Sequence, residues 1–387
     1  MSRHKKAINK NTPEGNKENA CSNNESNINE NASSENYVIN GMEKTGITKH
    51  RGKFSQVFIY LGKLFRMFVF QNDWKILPMS AIISGLVSFV VGANLFKTQE
   101  GTLIGTFALA CICIWNGFFN SIQVICRERP IVKREHRSGL HISAYIGAHM
   151  IYQAFLCLGQ TIITIVVCKF TNVIFPQGHL VTPWAIVDIA ITLFLITYCA
   201  DIMALMVSAI VHTTTTAMTI MPFLLIFQLV FSGAFFQLNG NMVNRIKETT
   251  ISKWGLTALC SQGDYNSLPM VALWNAVSKF QDVDVADYLI SMENYAASDE
   301  EVIRVDDLKF DTAPKKELKP IRDFMVYAQK SGAKDEILDW SGRNNQNPDY
   351  AHEKDIVLKC WGRLILFVII YACVAVISLE FIDKDKR

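Results

Sequence analysis

The chain has 387 residues, 50% of them hydrophobic and only 19% charged, against roughly 25% charged in an ordinary soluble domain. Thirty-eight basic and 35 acidic residues give a net charge of +3, and without a clustered basic face that excludes nucleic acid as the expected partner. Ten cysteines are present, but most stand singly within apolar runs and read as small buried hydrophobes rather than a disulfide or zinc framework.

Residues 1–53 carry eleven Asn before position 41, mixed Lys and Glu, and no hydrophobic periodicity. Such a segment cannot bury enough apolar surface to offset the entropy of ordering, so a disordered cytoplasmic tail is expected. From Phe54 the pattern changes. Phe54, Val57, Phe58, Leu61, Leu64, Phe65 and Phe68 recur at helical spacing beside Lys53, Lys63 and Arg66, which predicts a basic amphipathic helix over 54–72 lying in a membrane interface.

Six apolar runs follow, at 76–96, 103–126, 142–167, 183–211, 214–236 and 357–382. Each satisfies the requirement of about 20 residues for a helix to span a bilayer. The alternation of a membrane barrel is absent, so an all-α membrane protein with six spans is expected. The fourth and fifth runs are separated only by His212-Thr213, room for a tight helical hairpin and nothing larger.

Orientation follows from the short loops. Arg127, Arg129, Lys133, Arg134 and Arg137 lie between the second and third runs, whereas 97–102 and 168–182 carry one Lys each. The five-cation loop is therefore expected on the cytoplasmic side, and an even number of spans puts both termini there. Residues 237–263 suit short re-entrant helices. Residues 264–355 mix apolar patches with charge as a small extracytoplasmic helical cap would, and 356–387 supply the sixth span and a cytoplasmic end.

No phosphate-binding motif is complete. The nearest, Gly41-Met-Glu-Lys-Thr-Gly46-Ile47-Thr48, has Ile where a P-loop needs the Lys that reaches the β- and γ-phosphates. No G-x-S-x-G elbow or H-E-x-x-H pair occurs either, so the chain is not expected to be an enzyme.

The run Asn116-Gly-Phe-Phe-Asn-Ser-Ile-Gln-Val-Ile-Cys-Arg-Glu-Arg-Pro-Ile-Val-Lys-Arg-Glu-His-Arg-Ser-Gly-Leu-His-Ile-Ser-Ala-Tyr145 resembles the region between the second and third spans of ABC type-2 permeases, especially the G-subfamily (white-pigment type) exporters. His141 stands where that family often has Tyr. Lys75 before the first span, Phe231-Ser-Gly-Ala-Phe-Phe236 ending the fifth, and Ser252-Lys-Trp-Gly255 in the re-entrant region resemble the family as well. The likeness covers 54–263 and the last span.

This resemblance implies a membrane subunit that pairs with a second copy or a related permease. ATP and Mg would be bound by a separate ATP-binding cassette ATPase subunit. The segment 127–141 would hold the coupling helix, with Arg127, Glu128, Arg129, Arg134 and Glu135 meeting that ATPase. It also implies that the second and fifth spans line the path, which makes Asn116, Asn120, Phe227, Gln228 and Phe231 candidate path residues.

Further polar residues fall inside the runs: His149, Gln153, Gln160, Asp188 and Asp201. Interhelical hydrogen bonding is the common use of such groups, and a proton relay at Asp201 is the sharper alternative. Two other functions stay open: a gradient-driven carrier, and a membrane sensor or scaffold that binds a ligand through its external block.

Overall fold

The computed structural model describes residues 52–70, 76–92, 94–176, 180–234, 240–280 and 319–381. The expected tail, Lys75, Phe235, Phe236, most of the middle of 264–355, and the C-terminal end lie outside the described residues.

Helix α1 (Lys53–Phe70) occupies the predicted amphipathic segment. It buries Tyr60 and Leu64 while Phe54, Phe58, Val69 and Phe70 stay exposed. Then come α2 (Ile76–Val91), α3 (Gln99–Ser121), α4 (Val124–Arg137), α5 (Ile142–Phe170), α6 (Ala185–Ile210) and α7 (Thr214–Val230). Two shorter helices, α8 (Asn241–Lys247) and α9 (Ile251–Gln262), precede α10 (Ala272–Phe280), α11 (Lys319–Ser331) and α12 (Ala333–Asn344). The last is α13 (Lys354–Glu380). Every regular element among the described residues is helical.

Among the described residues four helices are long and apolar enough to cross a membrane: α3 together with α4, then α5, α6 and α13. The first and fifth predicted spans are shorter, with α2 at 16 residues and α7 at 17. At 1.5 Å per residue these reach about 24–26 Å, against a hydrocarbon core of about 30 Å. The fifth run reads to 236 in hydropathy, yet the helix stops at Val230. A turn follows through Ser232 and Gly233, whose φ of +84° suits glycine. The tight connection at His212-Thr213 is present as expected: α6 ends at Ile210, and Thr213 caps α7 by accepting from the Thr216 N–H.

Helix α6 is the centre of the bundle, packed against α3, α5, α9 and α13. Apolar residues surround its axis on every side, the pattern of a helix enclosed by protein rather than of one with a single buried stripe. Helix α3 approaches it closely at Gly117, where a Cβ would fall 2.4 Å from the Thr197 carbonyl oxygen and 2.8 Å from the Asp201 nitrogen. Helix α9, Ile251 to Gln262, is buried at every position but Lys253; Gly255 lets Ile196 of α6 sit against its backbone. By contrast α13 leaves Leu358, Ile365, Ile369, Ile370 and Ile377 exposed, a face for lipid or another chain.

The segment after α9 is anchored to the start of α3 and the end of α9. Glu100 at the start of α3 accepts from the Val271 and Ala272 N–H groups, and Gln99 donates to the Gly342 carbonyl. Asn266 and Asn347 exchange two bonds, Ser261 donates to the Ala351 carbonyl, and Tyr265 stacks edge-on with Tyr350. Burial pushes the Tyr265 phenol up to about 12.

Candidate coupling site

Helix α4 carries the five residues singled out for coupling, and the structure divides them. Its first N–H groups need acceptors, and Gln123 at the cap position supplies none from its side chain. Ser208 of α6 does so instead: its Oγ accepts from the Ile125 and Cys126 N–H groups, each at 3.1 Å. The Cys126 thiol returns bonds to the Ser208 and Val211 carbonyls. Arg129 then donates through Nη1 to the Ala209 and Val211 carbonyls at 3.0 and 3.1 Å. A cation placed on the orphan carbonyls at the end of α6 also answers the partial negative charge there.

An adjoining side of α4 is tied to α1 and α5. Glu135 accepts a hydrogen bond from the Tyr60 hydroxyl. Burial first, and the Glu135 carboxylate second, holds the Tyr60 phenol protonated well above its ordinary range. Glu128 is buried and accepts from the Tyr145 hydroxyl at 3.1 Å. Tyr60 and Tyr145 meet edge-to-face, with ring centroids 5.2 Å apart. Gln56 of α1 holds the turn after α4, accepting from the His141 N–H and donating to the Gly139 carbonyl.

Glu128, Arg129 and Glu135 are thus spent inside the protein, while Arg127 and Arg134 are exposed. Ile131 is exposed between them. A short helix with a bonded inner face and a cationic outer face can receive force from a docked partner and pass it to α6, α7 and α1.

The candidate path residues divide similarly. Asn116 donates to Ser80 of α2 at 2.9 Å. Asn120 exchanges two 3.0 Å bonds with Gln160 of α5. Gln228 accepts through Oε1 from the Ile251 and Ser252 N–H groups, so it caps α9. Ser252 donates to the Gln228 carbonyl. These three side chains hold helices together within one chain. Phe223, Phe227 and Phe231 recur every four residues as an aromatic stripe along α7 and its C-cap; Phe227 and Phe231 meet at a tilt with ring centroids 4.9 Å apart, and Phe223 and Phe227 are 69% and 38% exposed, so the stripe points outward there.

The remaining polar residues of the spans are bonded too, with the exception of His149. Gln153 donates to Ser121, the Asp201 carboxylate accepts from the Cys157 thiol, and Asp188 accepts from the Val181 and Thr182 N–H groups. Nothing in the sequence signals the trans-caps made by Ser208 and Gln228, because each bridges elements far apart in the chain.

The family description ABC-2 type transporter matches residues 56–259, more than half of the chain. The chain belongs to the ABC-2 type transporter family. No curated protein matches it. The protein is accordingly a multi-pass membrane permease component of an ABC transporter, a family whose membrane subunits lack nucleotide-binding motifs and pair with an ABC ATPase subunit. The matched stretch takes in most of α1, all of α2 through α8 and most of α9.

Proposed function

We propose that the permease is the membrane half of an ATP-driven exporter of the G-subfamily type, with α4 as the helix on which a separate ATPase docks. The bonding of α4 carries this reading. Its inner face is fixed to α6 by Ser208 and Arg129 and to α1 by Glu135, while Arg127 and Arg134 face outward. Cations of that kind steer and register a charged partner surface.

In this reading six helices span a plasma membrane, with α2 and α7 completing the count through their flanking turns. Both termini and α4 are cytoplasmic, and α10 to α12 form an extracytoplasmic cap on α3 and α9. Two copies, or one copy and a related permease, enclose the path. The outward aromatic stripe of α7 with Phe227 and Phe231 faces the second subunit or the cargo, whereas Asn116, Asn120 and Gln228 shape the wall behind it. Closure of the ATPase dimer moves α4, and α6 and α7 follow through the Ser208 and Arg129 bonds.

Topology is the first test. A cysteine at Ser138 is expected to gain membrane-impermeant label only in permeabilised cells, and one at Ser331 to gain it in intact cells, each above the wild-type background. Labelling of both from outside would end the six-span arrangement.

A further inference from the structure

A cavity of about 220 Å³ opens where α1, α3, α4, α5 and α7 meet, at the α4 end of the bundle. Its wall is divided by chemistry. Leu64 and Met67 of α1 with Leu156 of α5 form an apolar side, and Arg127, Glu128, His149 and Gln153 form a polar one. His149 and Gln153 are each 1% exposed. Neither ring nitrogen of His149 has a hydrogen-bond partner, and neither has Gln153 Oε1. His149 Nε2 lies 3.9 Å from Glu128 Oε2. Buried polar atoms in proteins are nearly always satisfied, so three open positions on one cavity wall point to something that fills them.

We propose that this cavity binds the headgroup of a membrane phospholipid bearing a primary ammonium group, of the ethanolamine type, drawn from the leaflet at the α4 end. Two of the open positions are acceptors, the Gln153 carbonyl oxygen and the unprotonated nitrogen of a neutral imidazole, and the Glu128 carboxylate beside them keeps lone pairs beyond the one that Tyr145 uses. A primary ammonium offers three N–H donors to such a set. Exposed Arg127 on the rim meets the phosphate, so a zwitterionic head balances the cation and anion of the site. A choline head has no N–H and leaves the acceptors open.

The volume agrees with a headgroup. It falls below the roughly 300–1,000 Å³ of sites that enclose a whole drug-sized ligand. The acyl chains therefore stay outside, along exposed Phe65 and Phe155, which meet edge-on beside Tyr152 of the cavity wall. That chain contact is what distinguishes a lipid from a free solute with the same head.

The test uses the full chain, purified in mild detergent and offered equal amounts of phosphatidylethanolamine and phosphatidylcholine of identical chains, with retained lipid read by native mass spectrometry. Phosphatidylethanolamine is expected to be retained about tenfold over phosphatidylcholine, a difference of about 1.4 kcal/mol. Gln153→Leu should abolish the preference. Where that variant fails to fold, Arg127→Ala, at an exposed position, should lower retention of both lipids together. A parallel arm offers soluble phosphoethanolamine, which is expected to leave the retained lipid in place. Equal retention of the two lipids by the wild type overturns the proposal, and so does a preference that survives Gln153→Leu in folded protein, or unchanged retention by Arg127→Ala. Displacement of lipid by equimolar phosphoethanolamine would assign the site to a soluble solute and overturn the lipid assignment.

Discussion

Replacing Arg129 with Met keeps the aliphatic stem but removes the guanidinium that joins α4 to the end of α6. Two hydrogen bonds are lost, to the Ala209 and Val211 carbonyls at 3.0 and 3.1 Å. A hydrogen bond to a charged group contributes about 1.5–3 kcal/mol, and a cation at a helix C-terminus about 0.3–1 kcal/mol. Arg129 is only half-buried, so water recovers part of this, and a net loss of about 2–3 kcal/mol is expected. That is less than the roughly 5–15 kcal/mol by which domains are stable, so the bundle stays folded while α4 loosens.

Hydrogen exchange over residues 124–137 in purified permease reads the loosening directly. Amides there should exchange at least about tenfold faster, given 1.4 kcal/mol per factor of ten, with protection of α6 unchanged. In the assembled transporter ATP turnover should persist while transport per ATP falls. Unchanged exchange over α4, or unchanged transport per ATP in a variant whose α4 has loosened, would refute the idea that Arg129 carries motion from α4 to α6.

Gly117→Ala should destabilise the bundle by about 1–3 kcal/mol, because the new methyl would meet backbone of α6 at 2.4 and 2.8 Å; thermal unfolding in detergent checks it. Tyr60→Phe removes the donor to Glu135 and should cost about 1–3 kcal/mol. Since burial and Glu135 raise the Tyr60 pKa, its contribution is fully present below about pH 10 and is lost only as pH climbs through the raised value. Stability of wild type relative to the Phe variant should therefore be flat from pH 6 to about 9, and a difference that vanishes in that window would contradict the contact. Gln228→Leu uncaps α9 at Ile251 and Ser252 and should lower folded yield without altering which compounds are exported. Ala at Phe227 and Phe231 should shift the substrate profile per folded molecule more than Ala at Phe223; a profile unchanged for all three leaves the stripe as packing.

Long apolar stretches made most of the fold legible in the sequence. The third run, 142–167, appears as Ile142–Phe170, and the hairpin at His212-Thr213 has the predicted length. Hydropathy averages over about 20 residues, so it could not see the Ser232-Gly233 break that ends α7 early. It also reads 103–126 as one run, whereas α3 ends at Ser121 and α4 begins at Val124. The charge pattern located α4 but not the division of labour within it. Glu128 and Glu135 read as surface charge because burial depends on Tyr145 and Tyr60, which the fold delivers from elsewhere in the chain. Cysteines that read as apolar fill prove partly polar in use, since Cys126 and Cys157 donate to a carbonyl and a carboxylate. His149 and Gln153 are legible as polar residues in a span, but a cavity between five helices is not.

The docking of an ATPase on the outer face of α4 is tested most directly by affinity purification of the permease from its native membrane, comparing wild type with Arg127→Glu plus Arg134→Glu. Both positions are exposed, so folded abundance should hold. A like-charge or unpaired contact at a specific interface costs up to several kcal/mol. An ABC ATPase should co-purify in near-equal amount with the wild type and fall at least about tenfold with the double reversal, where each 1.4 kcal/mol is a factor of ten. Full retention of the ATPase by the reversed helix, or its absence from the wild type, would contradict coupling through α4.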